Sequence, residues 1–251
     1  RQIPNEKIIY FGDTARMPYG SKSKETVTRF SKQIVRFLET FQVKTIVVAC
    51  NTASAYALDE LEKEIDVPII GVIKPGARTA AEVTRNGRIG VIATPASIRS
   101  RSYETRIRDI LPDAEIFTRS CPMFVPLVES GFVQPGDPIT RLTVERYLAP
   151  MKEAGVDTLI LGCTHYPLLR STVQKIVGDK VNLVNPAYET ARDLKKLLER
   201  ENLSNPDTET DPSEMSHRFY VSDAADKFNK FANSILPYDI DTTQEIPIEE
   251  Y

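Results

Sequence analysis

Two cysteines occupy matching contexts in this chain. Cys50 closes the run Lys44-Thr45-Ile46-Val47-Val48-Ala49 and is followed by Asn51-Thr52. Cys163 closes Asp157-Thr158-Leu159-Ile160-Leu161-Gly162 and is followed by Thr164-His165. Each copy runs from a polar residue and a threonine through an apolar, strand-like stretch and a small residue to the thiol, with a hydroxyl close behind. Ligands of open α/β sheets gather outside the carboxyl ends of the strands. Where a helix begins, its free N–H groups and positive partial charge hold a carboxylate and favour a thiolate. This reading predicts lowered thiol pKa values at both positions. It also predicts helix caps from Thr52 or Ser54 in the first copy and from Thr164 in the second. A single strand cysteine is ordinarily a small buried hydrophobe. Cys121, in Ser120-Cys121-Pro122-Met123, lacks the strand–helix context and reads as structural.

The elements that must position the thiols are legible around them. Strand-like runs fall at Lys7–Phe11, Thr45–Ala49, Ile69–Val72, Ile89–Ala93, Thr158–Leu161, Val181–Val184 and Phe219–Val221. Most are continuously apolar, as expected of strands buried on both faces of a parallel sheet. Ser23–Gln42 places Val27, Phe30, Ile34, Phe37, Leu38 and Phe41 at helical steps. Ser54–Glu64, Thr140–Ala154 (stopped by Gly155) and Ala225–Leu236 also read as helices. Alternating strands and helices imply βαβ units and an α/β fold. The repeated strand–Cys–helix unit suggests two halves related by a pseudo-twofold. Residues 204–216 are polar, acidic and proline-containing, a surface loop. From Pro237 onward the chain reads as a polar tail.

Composition narrows the class. An apolar share of 41% and a charged share of 27% over 251 residues suit a globular protein. A formal net charge of -3 gives no broad basic field for nucleic acid. No apolar run reaches the ~20 residues that span a bilayer. Three cysteines make no disulfide framework and, with two histidines, no structural zinc site. Free thiols suit a reducing, cytoplasmic setting.

The complete motifs are more specific than the cysteines. Cys50-Asn51-Thr52-Ala53 and Gly162-Cys163-Thr164-His165-Tyr166-Pro167 resemble the two signatures of the glutamate racemases. Tyr10-Phe11-Gly12-Asp13-Thr14-Ala15-Arg16 with Pro18-Tyr19-Gly20, Gly71-Val72-Ile73-Lys74-Pro75-Gly76, Phe124 to Gly131, and Phe219-Tyr220-Val221-Ser222 agree with the same family. The resemblance runs in order from about Pro4 to about Leu236.

That resemblance implies two pseudosymmetric αβ domains with mainly parallel central sheets and an active-site cleft between them. The first domain would comprise 1–73 plus 186–251 and the second 74–185. It implies interconversion of L- and D-glutamate without metal or cofactor, supplying D-glutamate for bacterial peptidoglycan and cell shape, in a cytoplasmic homodimer. Cys163 would deprotonate L-glutamate and Cys50 D-glutamate, with His165 and Glu129 assisting Cys163. Pro18, Tyr19, Gly20, Asn51, Thr52, Thr94, Ser97 and Thr164 would hold the substrate. Ser97 stands where many relatives have Thr and keeps the hydroxyl.

Two departures stand out. The family begins with a strand and an Asp-Ser-Gly turn that assists the first cysteine; nothing here matches it, and an upstream segment is expected. Asn185-Pro186 replaces an Asp-Ser pair common in relatives. Rival readings are an aspartate racemase, against which His165 counts because those relatives carry Glu there, and a binding or regulatory protein on the racemase fold. A Cys50–Cys163 disulfide is a further rival, disfavoured for thiols on opposite walls of a cleft.

Overall fold

The computed structural model describes residues 2–207, 216–236, 239–240 and 242–251; residues 208–215 of the polar loop lie outside this set. The chain opens with β1 (Ile9–Gly12), two short 3-10 turns, α1 (Lys24–Glu39), β2 (Ile46–Val48), α2 (Asn51–Tyr56), α3 (Leu58–Glu64) and β3 (Ile69–Gly71). Next come α4 (Ile73–Val83), β4 (Arg88–Ala93), α5 (Pro95–Ser100), α6 (Ser102–Arg108), β5 (Glu115–Ser120), α7 (Phe124–Glu129) and α8 (Pro138–Glu153). Then follow β6 (Thr158–Gly162), α9 (Arg170–Val177), β7 (Asn182–Val184), α10 (Pro186–Arg200), β8 (Arg218–Val221), α11 (Ala225–Asn233) and β9 (Thr243–Glu245).

Among the described residues every strand pairing is parallel, as the continuous apolar runs predict. The larger sheet has the order β5-β4-β6-β7. Its two central strands are buried on both faces, and their side chains alternate between two cores with the period of two that a strand imposes. Ile92, Leu159 and Leu161 face a core closed by Phe124, Val144, Leu148 and Val173 from α7, α8 and α9. Ile89, Val91 and Ile160 face the opposite core, closed by Ile73, Ala77, Tyr103 and Ile107 from α4 and α6. Truncating one such side chain, Leu148 for example, costs about 2–5 kcal/mol.

The remaining strands form two separate sheets, β1-β8-β9 and β2-β3. Helix α1 serves both. Val35 packs with Ile46 of β2 and Leu61 of α3, Phe37 with Tyr220 of β8 and with Ile248 beyond β9, and Leu38 lies against both clusters. Ser23 caps α1 by accepting the Thr26 N–H, and Gln42 turns out of it at φ 52°. In both halves the strand that leads to a cysteine pairs in parallel with the strand that follows it, β2 with β3 and β6 with β7. The repeat in the sequence is therefore a repeat in topology.

Several expectations need correction. The helix expected over Ser54–Glu64 starts at Asn51 and breaks at Ala57, where Thr28 Oγ1 donates to the freed Tyr56 carbonyl at 3.4 Å. The polar tail from Pro237 is instead partly built in: β9 pairs with β8, Ile248 is fully buried, and the Tyr251 ring meets Phe37 edge-on at 5.1 Å. The Asn185-Pro186 departure has a local role. Asn185 caps α10 by accepting the Ala187 N–H, with Pro186 at the first helical position, seated on Gly76. A Cβ on Gly76 would come within 3.0 Å of the Pro186 ring. Arg78 of α4 then grips Asp193 of α10 through two 2.7 Å hydrogen bonds.

Candidate active site

Cys50 follows β2 and is the first-turn flanking residue of α2, with φ -77° and ψ 125°. No side chain caps this helix: Thr52 and Ser54 lie inside it and are engaged elsewhere. The Ser54 hydroxyl donates to the Val48 carbonyl at 2.9 Å and accepts the Val72 N–H at 3.2 Å, which fixes α2 to the ends of β2 and β3. Cys50 is partly open, unlike the buried Asn51 and Thr52 beside it.

Cys163 follows the fully buried β6 and is 7% exposed. Here no α-helix starts at the thiol. A 3-10 turn, Tyr166–Leu169, intervenes before α9, because Pro167 and the Tyr166 anchor fix a tighter path. Tyr166 is fully buried and donates to the Cys121 carbonyl at 2.9 Å, so Cys121 serves the packing behind the site. The His165 ring stands beside Cys163 with Nδ1 at 3.7 Å from Sγ, and its Nε2 lies 2.7 Å from Glu129 Oε1. Thr164 Oγ1 also approaches Nδ1, at 3.3 Å. Glu129 ends α7, where the helix dipole disfavours a carboxylate. The His165 contact offsets that cost.

A group of hydroxyls joins the two halves. Thr52 Oγ1 lies 2.9 Å from Thr94 Oγ1 and 3.3 Å from Ser97 Oγ, and Thr94 and Ser97 are 3.0 Å apart. All three residues are buried. Thr94 is also the cap of α5, accepting the Ser97 N–H. Each hydroxyl can turn a proton toward a carboxylate. The turn Pro18-Tyr19-Gly20 packs against this triangle, since a Cβ on Gly20 would fall 2.6 Å from Thr94 Cβ. Tyr19 is held from behind: its hydroxyl donates to Asp13 Oδ2, while Ser222 Oγ and Arg16 Nε each donate to Asp13 at 2.9 Å. The residues expected from the sequence thus fall in three groups: Cys50 with Asn51 and Thr52, Cys163 with Thr164, His165 and Glu129, and Pro18, Tyr19 and Gly20 against Thr94 and Ser97. Two surface grooves, along Arg29, Lys32 and Arg36 of α1 and beside Arg170, Asn185 and Tyr188, contain neither site cysteine.

Comparison with known proteins places the chain in a family. The family model described as Asp/Glu/Hydantoin racemase matches residues 1–194. A glutamate racemase of Geobacter metallireducens is 46% identical over 99% of this chain and 90% of its own length. The chain belongs to the glutamate racemase family. The crystal structure of a family member from Francisella tularensis, in complex with D-glutamate, superposes with a TM-score of 0.89 at 36% identity, over 99% of this chain and 90% of that one. An aspartate racemase of Picrophilus torridus, at 18% identity and a TM-score of 0.51 over 80% of this chain and all of that one, shares the fold alone.

The electrostatics of the candidate site differ from the sequence expectation. Burial pushes the Cys50 thiol up, although the N–H groups of Ala53 and Thr52 and the Thr52 hydroxyl favour its thiolate. Burial likewise pushes Cys163 up to about 12, opposed by the N–H groups of His165 and Thr164 and by the Thr164 hydroxyl. The expected lowering fails because desolvation in the cleft outweighs a few amide dipoles. Negative charge on Cys50 adds to the rise at Cys163, so the two sulfurs share one electrostatic environment. Among the described residues no group of three or more His, Cys, Asp and Glu converges to hold a metal ion, and no helix is long and apolar enough to cross a membrane. Asp13 and Tyr103 contact the candidate residues Tyr19 and Asn51, and the spacing does not single them out. Asp13 lies inside the Gly12-Asp13-Thr14 motif, which was a signal; Tyr103 has none, since its partner Asn51 is 52 positions away.

Proposed function

We propose that this protein interconverts L- and D-glutamate by proton transfer at two opposed thiols, supplying D-glutamate for peptidoglycan. The observation that carries this reading is the pair of strand-end cysteines, one after β2 and one after β6, with charge on one acting on the other. The Glu129 carboxylate accepts a hydrogen bond from the His165 Nε2–H, the tautomer that leaves the Nδ1 lone pair facing Cys163. His165 takes the thiol proton, and the Cys163 thiolate removes the α-proton of L-glutamate. The electron pair left on the α-carbon spreads into the carboxylate, where the Thr52, Thr94 and Ser97 hydroxyls and the Asn51 amide supply donors. The Cys50 thiol returns a proton to the opposite face and becomes the thiolate that starts the reverse reaction. A raised thiol pKa makes each thiolate scarcer but a stronger base, which suits a weakly acidic carbon.

The proposal also divides the chain into a first domain of 1–73 plus 186–251 and a second of 74–185. The separate sheet β5-β4-β6-β7 and the α4–α10 contact at the crossover support this division. The family resemblance adds a homodimer, which sedimentation would test. For the chemistry, Cys50→Ser and Cys163→Ser are each expected to lower racemisation, read by circular dichroism, by roughly 100- to 10,000-fold. Near-normal turnover in either variant overturns the two-base scheme. Faster racemisation of aspartate than of glutamate overturns the substrate.

A further inference from the structure

Tyr103 reaches both cysteine turns from α6. It is 3% exposed, and its hydroxyl donates to Asn51 Oδ1 at 2.6 Å, one residue after Cys50. Its ring lies against Gly162, one residue before Cys163: a Cβ built on Gly162 would come within 3.2 Å of Tyr103 Cε2. The ring is packed in the core with Ile73, Ala77, Val91 and Ile107. The hydroxyl therefore has a fixed position relative to both thiols.

A carboxamide has an acceptor side and a donor side. With Oδ1 engaged by Tyr103, Asn51 turns its Nδ2 donors the other way. Among the described residues Nδ2 has no hydrogen-bond partner, and it is not one of the sealed, unpaired polar atoms, which are Arg16 Nη2 and Ser31 Oγ. It is a donor left for something that enters the cleft beside Cys50. Burial, and then charge on Cys163, hold the Tyr103 phenol well above its usual pKa, so it remains a donor throughout turnover. Without that hydroxyl the amide is free to flip and to set its oxygen against a substrate carboxylate.

We propose that Tyr103 is a positioning residue for racemisation, its hydroxyl locking the Asn51 amide so that Nδ2 faces the substrate carboxylate. This rests on the glutamate racemase reading above. The test is a double-mutant cycle with Tyr103→Phe and Asn51→Ala, read as KM and kcat for glutamate and as the calorimetric Kd for D-glutamate. Phe keeps the ring and its seat on Gly162. Tyr103→Phe is expected to raise KM and Kd by roughly tenfold, the size of one hydrogen bond to a charged group, with kcat within about threefold. In the Asn51→Ala background the same change is expected to alter either constant by less than about twofold, because its route of action is gone. Equal losses in both backgrounds would mean that Tyr103 acts only through packing and would overturn the proposal, as would an unchanged KM and Kd in Tyr103→Phe. If the unmodified protein binds glutamate without racemising it, the racemase reading fails while the Kd cycle still decides the role of Tyr103. If it does neither, both fall.

Discussion

The Gly20 backbone packs directly on the Thr94 side chain: a Cβ placed on Gly20 would lie 2.6 Å from Thr94 Cβ and 2.8 Å from Cγ2. Real Cβ atoms do not approach so closely, and Thr94 has little room to retreat. It caps α5, and its hydroxyl is shared with Thr52 and Ser97. The bare Cα of Gly20 is what lets the Pro18–Gly20 turn seat against the hydroxyl triangle.

Gly20→Ala should therefore lift that turn off α5. Overpacking of this kind costs about 1–3 kcal/mol of stability. The larger effect is expected on substrate, as a rise in KM for glutamate of roughly tenfold or more, because a shift of about 1 Å in a binding turn is enough to weaken positioning. Steady-state kinetics and a thermal melt on the same preparation check this. An unchanged KM would show that the close approach serves packing alone.

The Cys163 thiol, pushed up to about 12 by burial, gives a pH prediction with a definite sign. An unfolded cysteine ionises near about 8.5. The folded pKa is the higher one, so this thiol contributes stability that is complete below about 8.5 and lost as pH rises through the folded value. Cys163→Ser should flatten the alkaline limb of the stability curve. Alkylation of Cys163 in a Cys50→Ser, Cys121→Ser background should climb about tenfold per pH unit through pH 10, since only the thiolate reacts. A plateau between pH 6 and 8 would instead reveal a thiolate–imidazolium pair with His165 already formed at rest.

How much of this was legible depended on the kind of signal. β4 and β6 are central and buried on both faces, so their apolar runs stood out, and with them the position of Cys163. β5, Glu115-Ile116-Phe117-Thr118-Arg119-Ser120, has no apolar run to read because it is an edge strand of that sheet and only Ile116 and Phe117 are apolar. β9 and the Ile248–Tyr251 anchor were missed because single apolar residues in a polar stretch have no period to read. The family motifs supplied the candidate residues. They could not supply the hydroxyl triangle or the Tyr103 bond to Asn51, which join positions 42 to 52 residues apart. Nor did they anticipate that desolvation would reverse the expected thiol shift, which depends on how deep the cleft is rather than on any local sequence.

Asp157 offers a test at the other end of the strand that leads to Cys163. Its carboxylate accepts from Thr84 Oγ1 at 2.7 Å, the Arg85 N–H at 2.6 Å, the Asn86 N–H at 2.8 Å and Thr158 Oγ1 at 2.9 Å. Burial alone would raise its pKa, but these four donors outweigh burial and hold it below the usual carboxylate range. A depressed folded pKa contributes stability above the unfolded value of about 3.9, and that stability is lost as pH falls through the folded value. Asp157→Asn keeps the shape but turns an NH2 group toward backbone donors. It should cost about 1–3 kcal/mol at pH 7. The gap between mutant and parent, from urea midpoints, should narrow as the pH falls below about 4. A gap of constant size would mean that packing rather than charge is responsible. Racemisation at pH 8 should stay within about twofold, because five residues of β6 at about 3.3 Å each separate Asp157 from the thiol. A large loss of turnover would show that the register of β6, and not only its far end, depends on this carboxylate.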